Sequence, residues 1–456
     1  MAQVFPFRAL RYNPNRVRLT DVVTQPYDKI TPAMQERYYA ASPANLVRII
    51  LGKPEPGDSE SNSVYTRAAA CFSDWRRNQI LLPDERPAFY AYAQRFSVPD
   101  GSGRELERRG FIGVGKIEDY EAGVVFRHER TLSAPKADRL NLLRATRAHF
   151  GQIFVLYGDP QGQVEKLLFA GSAPPDVEVD DEYGVNNRLW VVPDPAMVRQ
   201  VQELMADKKL IIADGHHRYE TALNYREERR RLDGGRQIDP SKTRSGLPGA
   251  PGLLGTPCAD APYERVMMTF VNMDAEGLVI LPTHRVLFGL PEFTVSALIE
   301  GSQPYFTVTP LSECLETARA VELLPEKGRA GTAWITVTPR GFFLFQARAE
   351  AEMAPSLRAL SPRQRRLDVA KLHQIVLQSV LGVSEEEIRN QKHINYVREA
   401  EEAIDRVRQG ANAAFLMNPV PIAQMRDVAF AGEVMPQKST DFYPKLLSGL
   451  AVYALE

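Results

Sequence analysis

The feature that most constrains the fold is a short apolar run at residues 210–213, which lies between two helical patterns. Residues 197–208 precede it with helical periodicity, and a helical pattern resumes directly after Asp214 and Gly215. An apolar run of this length between such signals is typical of a buried strand. A second amphipathic helix, at 138–148, leads into an apolar strand at 153–157 in the same way. The alternation predicts a mixed α/β (α+β) fold with mixed sheets and flanking helices.

Chain length and composition predict a globular protein with more than one domain. The 456 residues exceed what one hydrophobic core usually organises. The hydrophobic share of 44% and the charged share of 25% are those of an ordinary globular protein. We expect three parts: an N-terminal α/β segment at 1–85, a central mixed α/β domain at 86–290, and a C-terminal α/β domain rich in helices at 291–456.

Local patterns predict individual elements. An apolar run at 46–51 predicts a short strand. Strand patterns on either side of turn residues predict three hairpins, namely 88–96 with 110–117, 266–273 with 278–281, and 334–338 with 342–346. Predicted helices at 366–381 and 397–409 each end before a glycine. The segment 234–262, rich in Gly and Pro, is predicted to be a mobile loop, either an active-site lid or an unstructured insertion.

The charge balance argues against two classes of partner. The 56 basic and 57 acidic residues nearly cancel, so there is no electrostatic reason to expect binding to nucleic acid or to an anionic membrane. No stretch reaches the roughly 18 apolar residues of a membrane span, and the first residues lack the apolar core of a signal peptide. We therefore expect a cytoplasmic location. The widely spaced Cys71, Cys258 and Cys314 predict neither a disulfide framework nor a zinc site.

The most informative motif is the run from Asp214 to Arg218, where a strand opens into a helix. The free N–H groups and positive dipole end of such a helix bind phosphate readily. Arg218 can fork onto two phosphate oxygens, and Asp214 can hold magnesium or accept a proton from a hydroxyl group. The set suits phosphoryl transfer. Two other interpretations remain open: Asp214 only caps the helix, or Asp214, one neighbouring histidine and His284 bind a transition-metal ion.

Further segments contribute candidate residues. They are the loop with His128, Glu129, Arg130 and Thr131, which continues to Lys136, Asp138 and Arg139; the strand end with His284 and Arg285; the segment with Lys438, Ser439 and Lys445; and the turn with Tyr27 and Asp28. Cations on both sides of an acid suit a clamp for an anion. Gln437 stands where a P-loop has a glycine, and Pro436 lacks a backbone N–H that could bind phosphate, so this is not a Walker motif. Each segment also has a purely structural interpretation, which in the same order is a salt-bridged loop, a solvated strand end, a surface tail and a plain turn.

Seven segments together resemble the bacterial and archaeal family of domain of unknown function 1015. In chain order they are QPYDKI, HERTL, PKADRLNLL, IIADGHHRYETAL, LPTHR, FLMNP and MPQKSTDFYPK. The first departs at Gln25 and Lys29 from the commoner PPYD-V-I form. The DGHHR element is also similar to the phosphate-binding turn of the ParB/sulfiredoxin superfamily, whose free serine kinases carry a similar element.

The resemblance implies a nucleotide-dependent kinase of a small hydroxyl metabolite, with free L-serine as the best candidate, ATP or ADP as the donor and Mg²⁺ as the cofactor. It also implies a ParB/sulfiredoxin-like nucleotide site. The alternative is a ParB-like nucleotide-binding regulatory protein without a small-molecule substrate. A homo-oligomer is compatible with both, and no nucleic acid or membrane partner is expected. No cysteine stands beside the motif, so sulfinic-acid repair is not implied.

The same interpretation gives each candidate residue a role. The catalytic residues are Asp214, His216, His217, Arg218 and Glu129. Magnesium is assigned to Asp214 and Glu129, and the acid that does not hold it receives the hydroxyl proton. The nucleotide and its phosphates are assigned to Gly215, Lys136, Arg139, His284, Arg285, Lys438 and Ser439.

Overall fold

The computed structural model describes residues 1–129, 133–171, 173–234, 261–312 and 315–456, without the side chains of 133–135 and 234. Nearly all of the predicted loop lies outside these residues, as do Arg130, Thr131, Cys258 and Cys314. The chain forms two compact units: a first unit of Met1–Phe126, Thr131–Leu278 and Pro444–Glu456, and a second unit of Arg127–Arg130 and Val279–Tyr443. The expected boundary near residue 85 falls inside the first unit, and the one near 290 falls after the break at Leu278.

The strands of the described residues, in chain order, are β1 (Val4–Phe5), β2 (Leu10–Tyr12), β3 (Leu81–Pro83), β4 (Phe89–Ser97), β5 (Glu105–Lys116), β6 (Val125–Phe126), β7 (Ala148–His149), β8 (Ile153–Tyr157), β9 (Val177–Asp180), β10 (Asn186–Val192), β11 (Leu210–Asp214), β12 (Arg265–Asn272), β13 (Val279–Leu281), β14 (His284–Leu287), β15 (Phe306–Pro310), β16 (Ala333–Thr338), β17 (Gly341–Ala347), β18 (Ile394–Val397), β19 (Ala413–Met417), β20 (Asp441–Tyr443) and β21 (Tyr453–Ala454).

The helices are α1 (Leu19–Val22), α2 (Pro32–Ala41), α3 (Val47–Ile50), α4 (Val64–Arg77), α5 (Ser133–Thr146), α6 (Gln163–Leu168), α7 (Pro195–Met205), α8 (His216–Gly234), α9 (Val295–Ser302), α10 (Thr317–Gly328), α11 (Pro362–Arg365), α12 (Asp368–Lys371), α13 (Glu385–Arg389), α14 (Ala400–Arg408) and α15 (Ile422–Phe430). A π-helical segment, Leu372–Val380, continues α12. None of the helices in the described ranges combines the length and apolar character that a membrane crossing needs.

The first unit is built on a mixed sheet with strand order β6-β11-β8-β12-β5-β4-β10-β9, and β1 also pairs with β5. The β6–β11 and β8–β12 pairs are parallel, and the other neighbours are antiparallel. Apolar residues of β8, β11 and β12 form one core with residues of α7 and with Tyr219 of α8. The sheet therefore holds β11, the strand that leads into the motif, between two neighbours.

The second unit contains an antiparallel sheet with strand order β15-β17-β16-β19-β14-β18. One core includes Trp334 and Phe345 with residues of the π-helical segment. The other includes Ile335 and Leu344 with residues of α10 and α14. Because neighbouring strand residues point to opposite faces, the two cores cover the two faces of this sheet. The predicted mixed α/β class is confirmed.

Two predicted hairpins are confirmed and one is wrong. β4 pairs with β5 and β16 pairs with β17, each in antiparallel register. The expected hairpin of 266–273 with 278–281 does not form, because β12 pairs with β5 and β8 while β13 pairs with β20. The turn after β12 is instead held by Asn272, whose Oδ1 accepts hydrogen bonds from the N–H groups of Asp159 and Asp274. Strands β12 and β13 therefore each pair with strands distant in the sequence instead of with each other.

The strand predicted at 46–51 is also wrong. Residues Val47–Ile50 form the short helix α3. The side chain of Asn45 accepts a hydrogen bond from the N–H of Val47 at 2.9 Å, and its Nδ2 donates to the carbonyl of Asp21. An Asx turn of this kind starts a helical turn in spite of the β-branched residues that follow, because tertiary contacts outweigh intrinsic propensity.

Candidate active site

The central turn of the first unit has the strand–turn–helix form that the sequence predicts. β11 ends at Asp214, and α8 begins at His216. Gly215, between them, has a φ of +94°, a backbone conformation that residues other than glycine rarely adopt. The Oδ1 atom of Asp214 accepts a hydrogen bond from the N–H of Gly215 at 2.8 Å. The positive dipole end of α8 therefore lies next to an acidic side chain at the end of a buried strand.

Arg218 folds back over this turn. A Cβ atom placed on Gly215 would lie 2.9 Å from Nε of Arg218, and one on Gly151 would lie 3.0 Å from its Nη1. Real Cβ atoms essentially never lie within 3.0 Å of another heavy atom, and a distance of 3.0 Å is tighter than nine in ten of their contacts. The Nη2 atom of Arg218 is 3.8 Å from Oδ2 of Asp214. Two positions without side chains thus make room for the guanidinium group in the first turn of α8.

Asp214 lies among cationic side chains. The Nζ atom of Lys445 is 3.8 Å from its Oδ2 atom, and the Asp214 side chain is 26% exposed. Burial alone would raise the pKa of Asp214, but the charges of Lys445, Arg218, Lys29 and His216 together hold that pKa well below its ordinary value. The carboxylate is therefore ionised at neutral pH. Several positive charges and a helix N-terminus act on this single negative charge.

A buried arginine helps to position Lys445. Arg108, 2% exposed, donates a hydrogen bond to the carbonyl of Pro444 at 2.6 Å and another to Gln94. Gln94 donates in turn to the carbonyl of Lys445 at 2.9 Å. Burial lowers the pKa of Arg108 to about 10, while the charges of Tyr92 and Asp214 act in the opposite direction. Side chains of β4 and β5 thus fix the backbone that presents Lys445 to Asp214.

Helix α5 brings two further predicted residues to the first unit's site. Lys136 forms an ion pair with Glu220, one turn beyond His216 on α8. The guanidinium carbon of Arg139 lies 4.0 Å from the centre of the Tyr27 ring, and its Nη1 donates to the carbonyl of Ile50 at 2.7 Å. Burial raises the pKa of Tyr27, and the charges of Arg218 and Arg139 act in the opposite direction. Tyr27 therefore lies within electrostatic reach of both arginines.

The two histidines of the motif differ in exposure. His216 is buried, with 8% of its surface exposed, and it contributes to the lowered pKa of Asp214. His217 is half-buried, and its carbonyl accepts a hydrogen bond from Thr221 Oγ1 at 2.8 Å. Asp214, Gly215, His216, Arg218, Lys136 and Arg139 all belong to the first unit together with His217.

The second unit holds five residues with predicted roles, namely Glu129, His284, Arg285, Lys438 and Ser439. Glu129 Oε1 accepts a hydrogen bond from the N–H of Lys438 at 3.0 Å, and Arg285 Nη2 donates to the carbonyl of Lys438 at 2.9 Å. Ser439 Oγ donates to the carbonyl of Pro436. These contacts fix the backbone around Lys438, whose φ is +57°. The phosphate-binding and catalytic roles expected for this group remain predictions.

His284 of the second unit is also bound to backbone. Its Nδ1 atom accepts a hydrogen bond from the N–H of Met417 at 3.0 Å. Burial, and next to it the charge of Arg285, lowers the pKa of His284 to about 3. The imidazole is therefore neutral at neutral pH. Burial likewise lowers the pKa of Arg285 to about 10, against the charges of Tyr396 and Glu129.

A metal site made wholly of protein ligands finds no support in the described part of the chain, where no group of three or more His, Cys, Asp or Glu side chains is suitably arranged. Asp214 lies in the first unit, whereas Glu129 and His284 lie in the second. Lys445 and Arg218 face the Asp214 carboxylate. Magnesium usually keeps waters and takes ligands from nucleotide phosphates. Asp214 fits such an ion only as one carboxylate that joins those ligands.

The sequence interpretation left out Arg108 and gave Tyr27 no role in binding. The period of two along β5 places Arg108 on the same face as Gly110 and Ile112, which are buried. A charged side chain on the buried face of a strand is rarely accidental, because its burial is costly unless it is paired. That signal would have identified Arg108. Its hydrogen bonds to residues 336 and 14 positions away were not visible in the sequence.

Comparisons with known proteins identify a family and a set of distant folds. A family model described as "Protein of unknown function (DUF1015)" matches residues 4–370. No curated protein matches this chain. Similar solved structures include a variant of a free serine kinase in complex with ADP, with 10% identity and a TM-score of 0.35, covering 73% of this chain and 88% of that one.

Two other solved structures are comparably distant. A free serine kinase in complex with AMP has 11% identity and a TM-score of 0.34, and covers 73% of this chain and 88% of that chain. A conserved hypothetical protein from Pyrococcus furiosus has 12% identity and a TM-score of 0.33, and covers 72% and 92%. Likenesses at this level do not define an activity.

Proposed function

This chain belongs to the DUF1015 protein family, and from that premise and the charges around Asp214 we propose that it is a nucleotide-dependent kinase of a small hydroxyl metabolite. The observation that carries the proposal is the setting of Asp214. Lys445, Arg218, Lys29 and His216 together keep this carboxylate ionised at the N-terminus of α8. Such an excess of positive charge at a helix N-terminus suits an anion with several charges, and nucleotide phosphates are of that kind.

Phosphoryl transfer needs positively charged groups held in place near the phosphoryl oxygens, and the turn at Asp214 carries such groups. Its transition state is loose, so the protein contributes mainly positioning and neutralisation of charge on the phosphoryl oxygens. Arg218 is suited to grip two oxygens at once, whereas Lys445 acts as a point charge. The transfer forms a bond from the γ-phosphorus to the acceptor oxygen, breaks the bond to the bridging oxygen of ADP and releases the hydroxyl proton. Magnesium bound to the nucleotide would supply further charge neutralisation.

The role of Asp214 follows from its lowered pKa. A carboxylate that holds a proton so weakly is a poor proton acceptor at neutral pH. We propose that Asp214 keeps Arg218 and Lys445 in place until the nucleotide phosphates join them. It remains a prediction that Glu129, the other predicted acid, accepts the hydroxyl proton. The choice of free L-serine as acceptor rests on the resemblance of the DGHHR element to free serine kinases.

The proposal is tested by mass spectrometry of the reaction products. The protein is incubated with ATP, magnesium and a pool of free amino acids and small alcohols. A new phosphoester, phosphoserine in the first instance, is the expected result. Tight nucleotide binding without any phosphoester would favour the regulatory alternative, and binding of neither nucleotide nor phosphate would contradict both.

Arg218→Ala is the matching variant. We expect it to abolish detectable transfer and to weaken nucleotide binding about 10- to 100-fold, because it removes charge-assisted hydrogen bonds to phosphate. The thermal unfolding midpoint should change little, since Arg218 pairs with Asp214 only at 3.8 Å. Arg199→Ala, at an exposed position of α7, is the control and should retain wild-type activity. A large loss of stability in Arg218→Ala would instead indicate a structural role.

A further inference from the structure

Four polar side chains form a buried hydrogen-bonded network next to the backbone of Lys445. They belong to Tyr92 and Gln94 of β4, Arg108 of β5 and Asn187 of β10. None of the four is more than 2% exposed. Burial of polar side chains is costly unless they are hydrogen-bonded, and apolar side chains of similar shape would avoid that requirement. The network therefore points to a role other than filling the core.

Asn187 ties this network to strand β10. Its Nδ2 atom donates a hydrogen bond to the carbonyl of Val185 at 2.9 Å. Its Oδ1 atom accepts hydrogen bonds from the Tyr92 hydroxyl at 2.5 Å and from Gln94 Nε2 at 3.0 Å. Reversing this amide would set its NH₂ group against the NH₂ group of Gln94. The surroundings of Asn187 thus present an acceptor oxygen, and not a donor, to Gln94.

The orientation of the Gln94 amide follows from its neighbours on both sides. Nε2 donates to Asn187 and, at 2.9 Å, to the carbonyl of Lys445. Oε1 accepts a hydrogen bond from Arg108. A reversed amide would place the oxygen against two acceptors and the NH₂ group against a guanidinium donor. Gln94 therefore keeps the orientation in which it binds the carbonyl of Lys445.

Lys445 connects this network to the proposed phosphate site. The Lys445 side chain is 12% exposed, and its Nζ atom lies 3.8 Å from Oδ2 of Asp214. A lysine ammonium group stands on a flexible four-carbon stem, so its position depends on how firmly the backbone beneath it is held. The carbonyls of Pro444 and Lys445 are both held, the first by Arg108 at 2.6 Å and the second by Gln94.

We propose that Asn187 is a positioning residue for Lys445 and acts through Gln94. The oxygen of Asn187 orients the Gln94 amide, Gln94 fixes the carbonyl of Lys445, and the ammonium group of Lys445 is thereby held where the phosphates bind. The inference rests on the proposed function, because it names a residue on which the charge of that phosphate site depends.

Calorimetric titration of the full chain with inorganic tripolyphosphate, in a double-mutant cycle, tests the proposal. Asn187→Leu is similar in size and removes the oxygen that orients Gln94. We expect it to weaken tripolyphosphate binding about three- to tenfold. Lys445→Met should weaken binding about tenfold and leave it measurable, since Arg218 is still present. In the Lys445→Met background, Asn187→Leu should change the affinity by less than about twofold, because the charge that it positions is gone.

Asn186→Leu is the matched control. Asn186 precedes Asn187 on β10, so its side chain points to the opposite face of the sheet. There its Nδ2 atom donates to Glu178 at 3.1 Å and to Asp180 at 2.9 Å. The same substitution at this position should leave the tripolyphosphate affinity at its wild-type value.

The outcomes separate this proposal from the proposed function. Unchanged affinity in Asn187→Leu, or equal weakening with and without the Lys445 charge, would overturn the positioning role and leave the phosphate site standing. A general structural loss gives the second of these results. Failure of the wild-type protein to bind tripolyphosphate would overturn the phosphate site and this proposal with it. If Asn187→Leu does not fold, Asn187→Ser decides the question, because serine is smaller and too short to reach Gln94.

Discussion

At the scale of single residues, the site depends on the space that two glycines leave beside the Arg218 side chain. The guanidinium group lies against Gly215 and Gly151, and a Cβ atom at either position would require that group to shift. Gly215 carries a second constraint, because its φ of +94° is costly for any residue with a Cβ atom. The same residue therefore sets both the backbone turn and the place of the Arg218 side chain, which is proposed to bind phosphate.

Gly215→Ala tests this double role. The added Cβ would lie 2.9 Å from Arg218 Nε, so Arg218 must move, and the backbone would be strained. We expect a loss of about 1–3 kcal/mol of unfolding free energy and a fall in tripolyphosphate affinity. Denaturant unfolding and calorimetry measure these two quantities. Gly171→Ala is the control, since nothing lies within 4 Å of its added Cβ and its φ is not in the left-handed region. Unchanged affinity in Gly215→Ala would contradict the account.

The lowered pKa of Asp214 makes its contribution to stability depend on pH. The unfolded chain takes up the proton near the ordinary pKa of 3.8, and the folded protein takes it up only at lower pH. The stabilisation is therefore complete above that ordinary pKa and is lost as the pH falls through the folded pKa.

Asp214→Asn should thus be less stable than wild type by about 1–2 kcal/mol at neutral pH. The difference should shrink as the pH falls below about 4. Denaturant unfolding between roughly pH 3 and pH 7 measures it. Asp207→Asn, at a side chain 76% exposed, should show no such dependence. A difference between wild type and Asp214→Asn that stays constant with pH would mean that the carboxylate does not stabilise the folded state through its charge.

At the scale of elements, α8 is held in place by the segment that follows β5. The Tyr219 hydroxyl donates to the carbonyl of Glu118 at 2.6 Å and accepts from the N–H of Glu118 at 2.9 Å. Arg226, two turns further, donates to the carbonyl of Ile117 at 2.7 Å and to Asp119 at 2.8 Å. Since β5 also carries Arg108, one strand positions both α8 and the backbone of Lys445.

Tyr219→Phe removes the two bonds to Glu118 without changing the shape of the core. Tyr219 is fully buried, so the Glu118 N–H and carbonyl would lose their partner, at a cost of about 1–3 kcal/mol in unfolding free energy. Chemical denaturation checks the value. Tyr183→Phe, at a residue 59% exposed, should cost much less. If the two variants lose equal stability, the hydroxyl of Tyr219 does not anchor α8.

Periodicity predicted the elements whose partners are local or whose apolar pattern is strong. It identified β11 with α8 and the hairpins β4–β5 and β16–β17. It failed at α3, where the side chain of Asn45 starts a helix, and after β12, where distant strands outcompete a nearby partner. Pairings between residues far apart in sequence leave no local periodic signal, so the sheet orders could not have been predicted.

At the scale of the whole molecule, the predicted site residues fall into two groups. The Asp214–Arg218 turn, Lys136 and Arg139 belong to the first unit, and Glu129, His284, Arg285, Lys438 and Ser439 belong to the second. The chain enters the second unit briefly at 127–130 and returns to the first at 444–456. Sequence order therefore does not show which motifs share a unit, and Lys445 joins Asp214 only because the chain returns.

Hydrogen exchange followed by mass spectrometry, with and without ADP, tests the central claim most directly. The central claim is that the turn at Asp214 binds the nucleotide phosphates. Bound nucleotide should slow exchange in peptides that cover residues 214–221 and 445–448, because ligand contacts suppress local opening. Slowed exchange confined to other segments, with 214–221 unchanged, would contradict the account.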